Sequence, residues 1–297
     1  VNGILLIDKP EGVTSAAVIR MLARRLQGSR VGHLGTLDPF ASGLLPLCVG
    51  AATKAARWLL LERKAYTGTI RFGSETDTLD RTGQITRTSP VPILETAVLA
   101  QLQARFTGTI RQVPPMYSAL KRDGVPLYKL ARRGIDVARA PREVSIMRLE
   151  LAVRDPERLD FAVECSKGTY VRVLAADIGQ ALGSAAHLES LRRTQVGAFR
   201  VEDAWTPAAL LALPPDDPLP VLGLREALGG LRAFALPGDA VARLRCGQQG
   251  PLESLPAPQR AGEAALACDR SGAVIGLLEA SPAARWRLAR LLTAEKR

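Results

Sequence analysis

"GHLGTLDPFASGLLPLCVG", residues 32–50, places one carboxylate, Asp38, in a loop punctuated by glycines at 32, 35, 43 and 50 and leading into an apolar stretch. Four roles suit an acid so placed: gripping a phosphate, holding a metal, reacting with a substrate, or capping a turn. A phosphate-binding loop needs G-x-x-x-x-G-K-[ST], with its lysine on the phosphates. Gly32 to Asp38 contains no lysine, and the carboxylate would repel the anion. A calcium loop needs several oxygen ligands at alternating positions, and this stretch has one carboxylate. A nucleophile or base and a turn cap remain. Asp is common at turns, so composition alone favours the cap.

The surrounding chain narrows the chemistry. Its 297 residues are about twice a typical single domain, which predicts one large domain or two unequal ones. With 47% apolar and 23% charged residues, it can bury a core and is not globally disordered. The N-terminal "VNGILLIDKP" breaks at Asp8, too early for a signal peptide or a membrane span. A cytoplasmic monomer without a membrane partner is expected. Four cysteines (48, 165, 246, 268) and two histidines (33, 187) are scattered without C-x-x-C or H-x-x-x-H spacing. Structural zinc needs tightly paired soft ligands, so buried reduced thiols are expected, with no metal and no cofactor.

Charge points to the partner. The net charge is +11, carried by 33 Arg and 7 Lys, and the pI is about 10.1. Such a balance favours a polyanion, and Arg presents a planar fork to phosphate. GC-rich coding accounts for part of the Arg excess, so position is more telling than the total. Between Lys121 and Arg142 seven basic residues face only Asp123 and Asp136. This basic excursion, about residues 114–144, lacks the strongly apolar face of a membrane-surface helix. Nucleic acid is therefore the expected partner. Thirteen aromatic residues are too few for a long single-strand stacking platform.

Apolar periodicity supplies the elements. Residues 3–7 read as a strand ending at the Pro10-Glu11-Gly12 turn. Thr14 or Ser15 caps a helix with Val18, Leu22 and Leu26 inward, closed by Gly28. "YTGTIRF" (66–72) and "LDFAVECS" (159–166) alternate as strands. "ILETAVLAQLQARF" (93–106) and "YVRVLAADIGQALG" (170–183) carry helical spacing. Without a regular βαβ repeat, an α+β fold with a mixed, largely antiparallel sheet is expected. The proline-rich segment 206–220 reads as a peripheral connection. Residues 231–297 read as a small β-rich domain following a main domain of residues 1–230.

Several blocks together carry a resemblance. "NGILLIDKPEGVTS", "GHLGTLDPFASGLLP", "KAYTGTIRFGSETDTLDRTG", "VPPMYSALKRDGVPLYKLARRG", "CSKGTYVRVLAADIG" and "HLESLRRTQVGAF" occur in that order over roughly residues 2 to 200. The series resembles the pseudouridine synthases of the TruB type, which modify uridine 55 in the T-loop of tRNA. The tail resembles, more loosely, the PUA-like domain of many members. The resemblance implies the pseudouridine synthase fold, tRNA as partner through its T-stem-loop, and an isomerisation needing neither redox step nor energy input. A nonenzymatic RNA-binding or tRNA-folding protein on the same scaffold is the alternative.

It also implies roles that the pattern alone leaves open. Asp38 becomes the catalytic carboxylate, attacking C1′ or removing the C2′ proton. Arg172 becomes its ion-pair partner, and Tyr66 the ring that stacks on the target base. Tyr170 and Leu191 line the uracil pocket, and His33, otherwise a loop histidine, lies beside the flipped nucleotide. In the basic excursion, Lys121, Arg122, Lys129, Arg132 and Arg133 are the expected backbone contacts.

Overall fold

A computed structural model describes residues 1–59 and 63–292. Its central feature is a sheet in which, among the described residues, ten strands take part. In chain order the strands of the molecule are β1 (Gly3–Lys9), β2 (Val31–His33), β3 (Ser42–Val49), β4 (Arg63–Phe72), β5 (Ser74–Thr76), β6 (Ile85–Thr88) and β7 (Gly108–Gln112). There follow β8 (Lys121–Arg122), β9 (Val125–Pro126), β10 (Arg142–Asp155), β11 (Arg158–Ser166), β12 (Ala186–Val196), β13 (Phe199–Arg200) and β14 (Val221–Leu222). The last four are β15 (Arg232–Ala235), β16 (Ala264–Cys268), β17 (Val274–Ala280) and β18 (Trp286–Leu291).

The main path of the large sheet runs β14-β1-β3-β12-β4-β11-β10-β7, with β2 on β3 and β13 on β12. Its pairs are antiparallel except β3 with β12, which meet in parallel at Arg192↔Ser42 and Arg193↔Gly43. This seam lies at the root of the Asp38 loop. Gly43 has φ +100°, and a Cβ there would stand 2.8 Å from the Arg193 backbone nitrogen. Only glycine admits so close an approach at that conformation.

β1 and β3 are buried along almost their whole length, which explains their unbroken apolar runs: both faces are covered. β11 alternates, with Leu159, Phe161, Val163 and Cys165 buried. The helices Thr96–Phe106 and Val171–Ala181 bury Leu99, Leu102 and Phe106, and Leu174 and Ile178, as their spacing predicts. The Thr14 side chain accepts from the Ala17 N–H at 3.0 Å, capping the helix Ser15–Met21. Burying each large apolar side chain contributes about 1.5–3 kcal/mol.

Four details differ from the sequence expectation. The helix expected to close at Gly28 ends at Met21, and residues 22–28 continue as turns that still bury Leu22 and Leu26. The segment 206–220 is more than a peripheral connection: it forms a helix, Pro207–Ala212, with Leu210 fully buried, and its continuation supplies β14 to the edge of the large sheet. Its apolar residues outweigh its prolines. His33 ends the short strand β2 and pairs with Leu47, so it is not a loop histidine. Cys246 is exposed, whereas the other three thiols are buried.

The chain from Arg232 onward builds a second sheet, β15-β16-β17-β18. Leu266, Cys268, Leu277 and Leu292 share one apolar cluster with Ile4, Leu6 and Leu44, so this sheet packs against the back of β1 and β3. No helix among the described residues is long and apolar enough to cross a membrane.

Candidate active site

The Asp38 loop is fixed from below. The buried Ser15 hydroxyl donates to the Leu37 carbonyl at 3.2 Å and accepts from the Leu37 N–H at 3.0 Å. The fully buried Lys9 ammonium donates to the carbonyls of Pro10, Val13 and Pro39. Burial lowers the Lys9 pKa to about 8, against the pull of Asp38. Asp38 is thus held by a frame rather than by the glycines alone.

Arg172 stands in the first turn of the helix Val171–Ala181. Its Nε lies 2.9 Å from Asp38 Oδ2, and its side chain is 5% exposed against 38% for Asp38. Nη1 donates to the Thr78 carbonyl at 2.6 Å and Nη2 to the Tyr117 carbonyl at 2.8 Å. Nη1 also faces the buried Asp80 at 3.6 Å. Asp80 is held in turn by Thr78 and Thr82. One guanidinium therefore joins the carboxylate loop, the segment preceding β8, and the turn between β5 and β6.

Burial pushes the Asp38 carboxyl above its ordinary range; the Arg172 charge and hydrogen bond oppose this, while Asp80 adds to the rise. An ionised carboxylate can attack a carbon or accept a proton, and the charges of Arg172 and, to a lesser extent, Lys9 favour that form.

Asp38, Tyr66, Tyr170, Arg172 and Leu191 line one cavity of about 220 Å³. Tyr66 lies on β4 opposite Arg193 of β12 and Val163 of β11, and burial raises its phenol pKa. Leu191 faces Gly68 across the same strands. At Gly68 a Cβ would stand 2.8 Å from the Phe161 ring, so a bare backbone is needed there. Tyr170 is seated by Gln112, which accepts from its N–H at 3.0 Å and donates to its carbonyl at 3.3 Å.

His33 lies outside this cavity, in an adjoining groove of about 560 Å³ shared with Asp38, Arg132 and Arg172. Burial and the Arg193 charge lower its pKa, so its ring is neutral near pH 7, and its buried Nδ1 has no partner among the described residues. Of the five basic residues expected to contact backbone, only Arg132 borders the groove, its guanidinium 5.6 Å from the Tyr128 ring centroid. Lys121, Arg122, Lys129 and Arg133 are exposed. Arg122 and Lys121 belong to the β8–β9 hairpin, and Lys129 to the helix Leu127–Ala131.

The sequence pattern marks Ser15 only as a possible helix cap and does not single out Lys9, Asp80, Arg193 or Lys64. Asp80 carried a usable signal, as an acid flanked by threonines in "TDTLDRT"; the others read as ordinary cations.

A largely antiparallel sheet with an ion-paired carboxylate at a cavity is the arrangement to set beside known proteins. The match to family models is direct. The TruB family pseudouridylate synthase N-terminal domain covers residues 23–171, and the tRNA pseudouridylate synthase B C-terminal domain covers residues 172–219. The chain is 51% identical over 230 residues to the tRNA pseudouridine synthase B of Aromatoleum aromaticum, covering 77% of this chain and 74% of that one. It is 49% identical over 232 residues to that of Bordetella avium, covering 77% and 95%. This chain belongs to the TruB family of pseudouridylate synthases.

Solved structures of H/ACA ribonucleoproteins share the fold. One, bound to a substrate RNA containing 2′-deoxyuridine, aligns with TM-score 0.71 at 20% identity, over 98% of this chain and 85% of that one. The archaeal box H/ACA Nop10–Cbf5 complex aligns at 0.69 and 21%, over 99% and 87%.

Proposed function

We propose that this protein isomerises uridine 55 in the T-loop of tRNA to pseudouridine, with Asp38 as the reacting carboxylate. The observation that carries this reading is the Asp38–Arg172 pair inside the cavity formed with Tyr66, Tyr170 and Leu191, in a chain of the TruB family. A uridine inside a folded loop must leave its stack to reach that cavity, at a cost of a few kcal/mol. Phosphate contacts from the basic excursion offset the cost.

The division of labour follows from position. Tyr66 and Leu191 enclose the uracil, Tyr170 borders it, and Asp38 meets the ribose at C1′ or C2′. His33, with its neutral ring, lies where the flanking nucleotides pass. Arg132 grips phosphate at the rim, and the remaining excursion cations act at longer range. Residues 231–297 form a PUA-like domain beside a catalytic domain of residues 1–230, and the protein acts as a cytoplasmic monomer. A nonenzymatic RNA-folding role has no use for a carboxylate held in this way.

Incubation with a tRNA transcript should yield a mass-silent, carbodiimide-reactive uridine at the T-loop position. A transcript that stays unreactive at every uridine while binding the protein would favour the nonenzymatic reading. Sedimentation of the protein with and without tRNA checks the monomer.

A further inference from the structure

The cavity holds two cations that the reaction as described leaves unused. Lys64 and Arg193 both line it. Lys64 lies two residues before Tyr66 on β4 and so shares its face, while Arg193 lies directly opposite Tyr66 on β12. Both reach the backbone at Gly35: a Cβ placed there would stand 3.5 Å from Arg193 Nη1 and 3.8 Å from Lys64 Nζ. Arg193 is 1% exposed and is anchored by the carbonyls of Leu44 and Gly35 at 2.7 and 3.0 Å. Among the described residues no carboxylate forms an ion pair with either side chain, unlike Arg172, which has Asp38 and Asp80. Burial and the Arg193 charge lower the Lys64 pKa. Two uncompensated cations in a small cavity carry a desolvation cost, which an anionic occupant would relieve.

The proposed reaction produces such an occupant. When the C1′–N1 bond breaks, its electron pair leaves with the uracil. If Asp38 attacks C1′, a carboxylate–C1′ bond forms and the uracil departs as an anion. If Asp38 instead takes the C2′ proton, a glycal forms and the uracil again departs as an anion. In both routes the charge spreads over N1, O2 and O4. Rejoining C5 to C1′ consumes it. In the first route the carboxylate–C1′ bond breaks and Asp38 leaves as the free carboxylate. In the second Asp38 returns its proton to C2′ as C1′ bonds to C5. The C5 proton is then lost and N1 gains one. Glycosidases protonate the leaving group with a second carboxylic acid. Here the other nearby carboxylate, Asp80, is turned away towards Arg172, Thr78 and Thr82.

We propose that Lys64 and Arg193 form a cationic seat for the departing uracil, stabilising the detached anion and retaining it in the cavity while it turns. The proposal rests on the function inferred above. Preorganised charge where charge develops is the general device. Lys64, partly buried and with no hydrogen bond to the backbone among the described residues, is the member able to follow the ring; Arg193 is the fixed one.

The test compares leaving groups. A T-stem-loop RNA carrying either uridine or 5-fluorouridine at the target is converted under single-turnover conditions by the full chain and by Lys64→Met, Lys64→Arg and Arg193→Lys. Fluorine stabilises the uracil anion by induction and lessens its need for the seat. Lys64→Met should slow cleavage at uridine by about 100-fold, the loss typical of one electrostatic stabiliser, and at 5-fluorouridine by less than about tenfold. Lys64→Arg should recover most of the uridine rate. Arg193→Lys should show the same asymmetry on a smaller scale, and affinity for the RNA should stay within about threefold. Equal losses on both substrates, or an unimpaired Lys64→Met, would overturn the seat. A wild-type protein that cleaves neither RNA would overturn the assigned reaction first, and the seat with it. If Lys64→Met fails to fold, Lys64→Gln makes the same comparison.

Discussion

Arg172 holds Asp38 at 2.9 Å through Nε while Nη1 reaches Asp80 at 3.6 Å, so one buried guanidinium is shared between two carboxylates. Asp38 is the more exposed of the two and opens on the cavity, whereas Asp80 is closed off by its threonines. The arrangement separates an acid that faces the cavity, the proposed reacting group, from one that is closed off, although both are aspartates paired with the same cation.

Replacing Asp38 by Asn keeps its size and most of its hydrogen bonding but removes the charge that reacts. Asp38→Asn is expected to reduce pseudouridine formation to background, while its affinity for tRNA changes by less than about 1.4 kcal/mol, a factor of ten. Product is measured by carbodiimide footprinting, and binding by filter retention. Appreciable turnover by the verified variant would falsify the assignment.

Arg172 is expected to govern the acid limb of the pH profile. Burial already raises the Asp38 pKa, and Arg172 is its strongest opposing influence. Because the ionised form reacts, activity is lost as pH falls through the folded-state pKa. Without the Arg172 charge that pKa rises further, so Arg172→Ala should shift the limb to higher pH and recover some activity in alkali. Removing one member of a buried pair costs about 3–5 kcal/mol, so Arg172→Lys, with charge but no fork, is measured beside it. Identical limbs in wild type and both variants would mean that the pair does not control ionisation.

The basic excursion is tested by salt. Arg132 borders the groove and Arg133 follows it in sequence. Neutralising both to Gln should weaken tRNA binding and lower the log–log salt slope by roughly 0.7–0.9 per lost phosphate contact. The rate on bound RNA should change far less, since neither side chain lines the base cavity. A solvated surface patch predicts the same slope for the double variant as for wild type.

Asp177, on the Arg172 helix, offers a prediction independent of catalysis. Burial raises its pKa to about 6 against the partial relief of Arg105. The folded state therefore disfavours the ionised form, and stability is lost as pH rises from about 4 to about 6. At about 1.36 kcal/mol per pKa unit, discounted for partial exposure, Asp177→Asn should stabilise the protein by about 1–2 kcal/mol at pH 7. The gain should vanish near pH 4, where wild-type Asp177 is itself neutral. Urea unfolding at the two pH values reads the difference, and a gain of equal size at both contradicts the burial account.

The elements of this fold were legible in the sequence because their periodicity is local. Alternation from Leu159 to Cys165 marks β11, and Leu174 and Ile178 mark the helix that carries Arg172. The ordered blocks likewise exposed Asp38, Tyr66, Tyr170, Arg172 and Leu191, which the structure brings to one cavity. Tertiary structure alone decided the rest. The parallel seam at Gly43 and Arg193 joins strands about 150 residues apart, and no local pattern encodes such a pairing. Ser15 under Leu37, Asp80 behind Arg172, and Lys64 beside Arg193 acquire their meaning from neighbours distant in the chain. A residue type states what a side chain can do; burial and the charges around it decide what it does. Lys64 shows the difference: in sequence it is one of seven lysines, and in the fold it is a partly buried cation that, among the described residues, no carboxylate pairs with.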